Sequence, residues 1–338
     1  MSQLIFSSKT SRFKNKCRRA LGRLAVLLLQ LSVLNLGWTP SLALSQIPEP
    51  VTAAAFSPRR DEVLFGSQFG LQIWSWPELK LLRRLDTDLQ NIHDLRFSPD
   101  GRSLLVAGGS PGQEGVVEVW MWPEESQTHR ISDHDDLVYR VAWSEHGEFW
   151  ASAGADGSCR VYGAKGHSKA SSFQGHSRAV VDVVFLFGTD LIVSAGVDHT
   201  LKCWKLSSGF EVRTLDNHLS GVNAVTQQIP AQGDAPPLVA TVGEDKTVRF
   251  WQPTIGRLLR FARLSAVPRT AVWSTAGDRL FVGCNDGSVL AIEPQSATVM
   301  SRWQTESGRV FELLTVPGDP GSLLVCGSAG FHRLSVDE

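Results

Sequence analysis

The chain has 338 residues, 42% of them hydrophobic and 20% charged, so a sizeable core is available and global disorder is excluded. The formal net charge of −1 hides an asymmetry. Residues 1–48 carry Lys9, Arg12, Lys14, Lys16, Arg18, Arg19 and Arg23 and no acid, which leaves 26 basic against 34 acidic residues in the remainder. A body with that balance argues against a nucleic-acid partner.

The first element in chain order is a leader. Leu24 to Trp38 is an apolar run interrupted by Gln30, Ser32 and Asn35. It is short for a spanning helix, which wants roughly 20 apolar residues, and suits the h-region of an export signal. Ser41-Leu42-Ala43 and Ala43-Leu44-Ser45 are both small-x-small cleavage sites, and Arg18-Arg19-Ala20-Leu21 is similar to a twin-arginine signal. Residues 1–45 are therefore expected to form an export signal, with a membrane anchor over residues 24–44 as the alternative. Export places the body in a periplasm, a lumen or the extracellular space.

Residues 46–338 are organised by a repeat. Short alternating segments end at Trp74, Trp120, Tyr162, Trp204, Trp251, Ile292 and Leu334, a period near 42 held over seven copies. Upstream in most copies lie a segment closed by a tight turn (AFSP, RFSPDG, AWSEHG, VWSTAG) and one ending in small residues (SAGADG, SAGVDH, TVGEDK, VGCNDG). Each unit thus reads as about four short antiparallel strands joined by Gly/Asp turns. One such sheet alone leaves both faces exposed, whereas seven packed radially bury one another. Ser110–Gln113 and Ile229–Pro237 are read as loop insertions that lengthen the second and fifth units.

In three consecutive units a polar set recurs at the repeat spacing: His134, Ser152, Asp156 and Tyr162; His176, Ser194, Asp198 and Trp204; His218, Thr241, Asp245 and Trp251. This pattern resembles the WD-repeat β-propeller family over essentially residues 46–338, although no aromatic is followed by Asp and only His176 keeps a preceding Gly. The resemblance implies an all-β, seven-bladed propeller of four-stranded antiparallel blades. It also implies a buried network in which Asp accepts from His, His meets Ser or Thr, and Ser or Thr reaches the aromatic. Finally, it implies ring closure by an N-terminal strand completing the last blade, for which residues 42–48 are in phase against Phe331–Val336.

Ser, His and Asp together invite a catalytic-triad reading. Threefold recurrence at the repeat period argues for structure instead, so no catalytic residue is expected. The nine His show no metal-ligand spacing and no phosphate loop follows a strand, so neither metal nor cofactor is expected. His129, His146, His167 and His199 fall in expected loops. Cys159, Cys203, Cys284 and Cys326 fall on strands of different sheets, too far apart to bridge, and are expected as buried free thiols.

The expected function is that of a non-catalytic scaffold, a monomeric ring whose loops bind a protein or peptide. Residues opening the first strands or preceding the turn Asp are the candidate contacts: Tyr139, Arg178, Asn223, Glu244, Asn285 and Arg309. Trp76 and Trp122, in the repeated W-x-W-P-E motif, occupy a position held elsewhere by Leu206, Pro253 or Ala164, so packing is the expected role, with a paired aromatic patch on the rim facing a partner as the alternative. Arg257, Arg260, Arg263 and Arg269 are read as a cluster in the strand linking the fifth and sixth units. The rival is an exported propeller enzyme, a hydrolase or quinone-cofactor dehydrogenase. It requires ionisable groups converging on the central channel, and no such constellation is found in the sequence. A third reading is a membrane-tethered assembly factor.

Overall fold

The computed structural model describes residues 49–229 and 236–336. Its strands form seven antiparallel meanders. Blade 1 holds β1 (Ala53–Phe56), β2 (Glu62–Ser67), β3 (Gly70–Ser75) and β4 (Leu81–Leu85); blade 2 holds β5 (Ile92–Phe97), β6 (Ser103–Ser110), β7 (Glu114–Met121) and β8 (Ser126–His134). Blade 3 holds β9 (Val138–Trp143), β10 (Phe149–Gly154), β11 (Cys159–Gly163) and β12 (Lys169–Phe173); blade 4 holds β13 (Val180–Leu186), β14 (Leu191–Gly196), β15 (Leu201–Lys205) and β16 (Glu211–Leu215). Blade 5 holds β17 (Val222–Gln227), β18 (Val239–Gly243), β19 (Thr247–Gln252) and β20 (Arg257–Arg263); blade 6 holds β21 (Pro268–Trp273), β22 (Leu280–Cys284), β23 (Ser288–Glu293) and β24 (Thr298–Gln304). Blade 7 holds β25 (Val310–Val316), β26 (Asp319–Gly327) and β27 (Gly330–Ser335).

The first strands of successive blades are neighbours all the way round, and β25 returns to β1. They therefore line a central channel. Buried apolar side chains fall into seven clusters among the described residues, one for each pair of facing blades. The seam between blades 7 and 1 is closed by Val51, Leu324 and Cys326, by stacking of Phe65 on Phe331 at 4.0 Å, and by a bond from Val51 N–H to Gly327 O of 3.0 Å. Each sheet buries both faces except at its outer strand, which explains why β2, β6, β10, β14, β18 and β22 read as nearly continuous apolar runs.

Three expectations change. Ser110–Gln113 is no independent loop: it extends the β6–β7 hairpin, and its Gly112 N–H donates to Asp136 Oδ1 at 2.8 Å. His129 lies on the outer strand β8, not in a loop, 4.6 Å from the His167 ring. Arg269 sits on the inner strand β21, apart from Arg257, Arg260 and Arg263 on the outer strand β20. The closing strand expected over residues 42–48 lies outside the described residues. Among the described residues, β27 pairs only with β26.

Cys159, Cys203, Cys284 and Cys326 are buried and unpaired. Burial pushes the Cys203 thiol up to about 12 and that of Cys284 up to about 11. The folded protein should therefore leave all four unreacted with a thiol reagent at pH 8. Denaturant without reductant should release all four, in addition to Cys17 where that residue is retained. A count short by two would show a bridge.

Candidate functional site

In each blade the β2–β3-type turn and the link to the next blade lie at one end, here the upper end. The β1–β2-type and β3–β4-type turns lie at the lower end. The recurrent polar sets occupy the upper end of blades 3, 4 and 5. His134 Nδ1 lies 3.0 Å from Asp156, and its Nε2 lies 2.7 Å from Ser152 Oγ. The same links are 3.0 and 2.8 Å for His176 with Asp198 and Ser194, and 3.0 and 2.8 Å for His218 with Asp245 and Thr241. A carboxylate beside Nδ1 fixes the proton there, so Nε2 accepts from the hydroxyl.

The last link expected from the family forms in blade 5 alone, where Trp251 Nε1–H donates to Thr241 Oγ1 at 2.9 Å. Trp204 Nε1 is buried without a partner, its ring stacked 5.2 Å from Phe173. The Tyr162 hydroxyl, which reaches further than an indole nitrogen, donates to Asp133 at 3.2 Å. Blades 1 and 2 use a substitute that no motif search finds: Trp74 Nε1–H donates to Gln72 and Trp120 Nε1–H to Glu118, two residues back on the same strand, both at 3.0 Å. Glu49 and Thr87 then take the place of the His, each bonding to that residue.

These networks are acid-labile. Burial pulls His218 down to about 4. Burial alone would raise Asp245, but bonds from Leu219 N–H, Thr247 and His218 hold it down to about 2. Both groups bind protons more readily in the unfolded chain. Their contribution is therefore complete above pH 6.5, declines as His218 is forced to charge between pH 6.5 and 4, and declines again between 3.8 and 2. Melting temperature followed from pH 7 to 4 should fall, and His218→Gln should flatten the slope. An equal slope in the variant would exclude His218 as its source.

At the channel mouth every inner strand but β1 carries a bulge. The bulged residues are His93, Tyr139, Val181, Asn223, Arg269 and Phe311. A bulge turns its extra residue out of the ladder, here toward the axis. With Thr52 from blade 1, and with Arg140 and Glu312, they line a cavity of about 230 Å³ to which every blade contributes at least one residue.

One residue further along, Asp94, Arg140, Asp182 and Glu312 meet across the channel with Arg96. This is the converging constellation not found in the sequence. Arg140 lies 3.2 Å from Asp94, 3.3 Å from Asp182 and 2.9 Å from Glu312; Arg96 lies 3.2 Å from both Asp94 and Glu312. Asp94 also accepts from Val141 N–H and Asp182 from Val225 N–H, each 2.9 Å away on the next blade. Burial raises the Asp182 carboxyl to about 6 against the pull of Arg140. The period itself carries the missed signal: these four charges occupy the repeat position held by Ala53, Ala224 and Thr270 in the other blades.

Of the candidate contacts, Arg178 and Arg309 are exposed at the upper end. Tyr139 and Asn223 line the mouth, where Asn223 Nδ2–H donates to Pro268 O at 2.7 Å. Glu244 pairs with Arg269 at 2.6 Å, and Asn285 Oδ1 accepts from Val267 N–H at 3.3 Å. Trp76 and Trp122 do not join them: both follow the third strand, at the lower end. Trp122 is buried edge-on against Phe97, and Trp76 packs edge-on against Phe56, so they are packing residues rather than a rim pair. The repeated motif packs its second Trp against the first strand of its own blade, burying Trp122 fully and Trp76 in part.

Seven antiparallel meanders closed around one channel form a β-propeller. Residues 125–163, 167–205 and 209–252 match the WD domain, G-beta repeat, which supports a WD-repeat β-propeller. It is 25% identical to Protein HIR1 of Phaeosphaeria nodorum over 178 residues, 48% of this chain and 16% of that protein. It is 28% identical to Telomerase protein component 1 of Mus musculus over 201 residues, 57% of this chain and 7% of that protein. It is 30% identical to Nuclear distribution protein PAC1 of Arthroderma benhamiae over 145 residues, 41% of this chain and 31% of that protein. The chain thus matches less than a third of the length of each of these relatives.

Proposed function

We propose that this propeller is a non-catalytic scaffold that binds a protein or peptide at its upper end, on the body of an exported or membrane-anchored chain. The observation that supports the site is the ring of bulges, which sets side chains from six blades around one opening. Arg178 and Arg309 flank it, exposed. The channel charges do not favour an enzyme: each carboxylate is ion-paired with an arginine, and two of the three also accept from backbone N–H groups of the next blade, which makes them stitches between blades.

Affinity purification from the native compartment tests the site. Arg178→Glu with Arg309→Glu should lose the partner that the parent retains, with the melting temperature unchanged. Retention there, with loss on Phe210→Glu at the lower end, would place the partner on the opposite end. Mass spectrometry of the mature N-terminus tests export. A start at Leu44 or Gln46 marks a cleaved signal, a start at Met1 in the membrane fraction an anchor, and a soluble cytosolic chain starting at Met1 would overturn both.

A further inference from the structure

We propose that the lower outer rim of blades 4–6 docks on an anionic bilayer surface. This goes beyond the reading of the upper end as the partner surface and stands on residues at the other end of the ring. Three segments build the rim, residues 206–215, 253–263 and 294–304, each a β3–β4-type turn with the outer strand it feeds. Together they carry Arg213, Arg257, Arg260, Arg263 and Arg302 against a single acid, Glu211, in a body whose acids outnumber its bases. Glu211 is itself matched by Lys202 at 3.1 Å. Arg302 pairs with Asp286 at 3.0 Å, and the other four arginines enter no ion pair among the described residues.

Apolar side chains stand between these charges. Six of the twelve large apolar side chains that the described residues expose lie on the same three segments, with Phe210 74%, Ile255 60% and Met300 57% exposed. The rim is continuous from blade to blade. A Cβ built at Gly256, beside Ile255, would lie 3.3 Å from Arg213 Cδ, so the turn of blade 5 abuts the outer strand of blade 4. Arg260 Nη1–H donates to Pro294 O at 3.0 Å, so the outer strand of blade 5 abuts the turn of blade 6.

This pattern selects a bilayer over an acidic protein. A protein interface gathers its apolar residues into one core and keeps charge at the edge. Here single apolar side chains project from separate blades with arginines between them. An interfacial segment has that arrangement: apolar tips enter the acyl boundary and guanidinium groups lie among the headgroup phosphates.

A polarity-sensitive fluorophore on Ile255→Cys tests this in the full chain carrying Cys17→Ser, the four remaining thiols being buried. Vesicles of phosphatidylcholine and phosphatidylglycerol in equal parts should brighten and blue-shift it, and high salt should reverse the change. Vesicles of phosphatidylcholine alone should leave it dark, as should both kinds when the fluorophore sits on Arg178→Cys at the upper end. Arg257→Gln and Arg213→Gln should each weaken the docking read in this way by roughly fivefold, the worth of one basic residue at an anionic surface. Should Arg213→Gln lower the melting temperature, Arg257→Gln alone carries the comparison. An equal response to neutral vesicles, an equal response at Arg178→Cys, or a response that both arginine variants leave unchanged would each overturn the proposal. So would a chain that sediments with the vesicles while the Ile255→Cys fluorophore stays dark, since its leader alone would then be bound, and so would no sedimentation at all. A response to polyglutamate and to neither vesicle would make an acidic protein the occupant and overturn the bilayer. Capture of a partner at the upper end is read separately, so either reading can fail while the other stands.

Discussion

Gly196→Ala should destabilise the propeller by about 3 kcal/mol, at the upper end of overpacking costs. A Cβ built at Gly196 would overlap both His176 Nδ1 and Asp198 Oδ1, the two atoms of the pair itself. Gly154 meets the same obstruction in blade 3, and Gly243 a looser one in blade 5, with His218 Nδ1 at 2.8 Å and Asp245 Oδ1 at 3.0 Å. The small residue closing each second strand is therefore set by the network it abuts rather than by its φ angle. His176→Ala alone should lose about 2 kcal/mol by leaving Asp198 and Ser194 short of partners. It also removes the obstruction, so the double variant should be markedly less damaged than the sum of the two singles. Gly163→Ala, where a Cβ meets nothing, is the control and should leave the melting temperature unchanged. Additive effects of the two changes would show that the methyl group is opposed by something other than this pair.

Much of this was legible in the sequence because a propeller repeats its errors and its rules alike. The period near 42, the Gly/Asp turns and the His–Asp–Ser spacing are local, and each is written several times. They specify the blades even where the set is degenerate, as in blade 6 with its lone Asp286. Features that depend on how blades meet were not legible in this way. Trp122 reads as a packing residue from the apolar character of its repeat position, and it is indeed buried, but its cover, Phe97 of the first strand in the same blade, could not be read from sequence. Tyr162 reads as a member of the polar set, yet its hydroxyl also donates to Asp133, which no indole at that position could reach. The charges of the channel lie in four blades up to 218 residues apart, and no window in the sequence holds Asp94 beside Glu312. They become visible only when one repeat position is read down all seven copies. At that position an isolated charge looks like an ordinary solvated residue until its six counterparts are placed around an axis.

Arg140→Met should be the most damaging single change in the channel, with a loss of about 4 kcal/mol at pH 7.5, because removing one partner of a buried ion cluster strands the others. Arg140 is held well above its ordinary pKa: burial opposes its charge, but Glu312, Asp94 and Asp182 outweigh that. Without it only Arg96 faces three buried carboxylates. Asp182 is already raised to about 6 in the intact cluster, above its unfolded value of 3.8, so the folded state favours the protonated acid there. That contribution is fully present below pH 3.8 and is lost as the pH rises through 6. Deleting Arg140 removes the charge that holds Asp182 down, raises that carboxyl further and widens the window upward. The gap in melting temperature between variant and parent should therefore be largest near pH 8 and shrink on acidification toward pH 5, opposite in sign to the acid loss traced to His218. Arg140→Lys keeps the charge but cannot reach Asp94, Asp182 and Glu312 together, since an ammonium lacks the planar fork, and should recover only part of the loss. Arg96→Met, which leaves Arg140 in contact with all three acids, should cost about half as much. A gap between Arg140→Met and the parent that is constant from pH 5 to 8 would mean that the arginine acts by packing and not by charge.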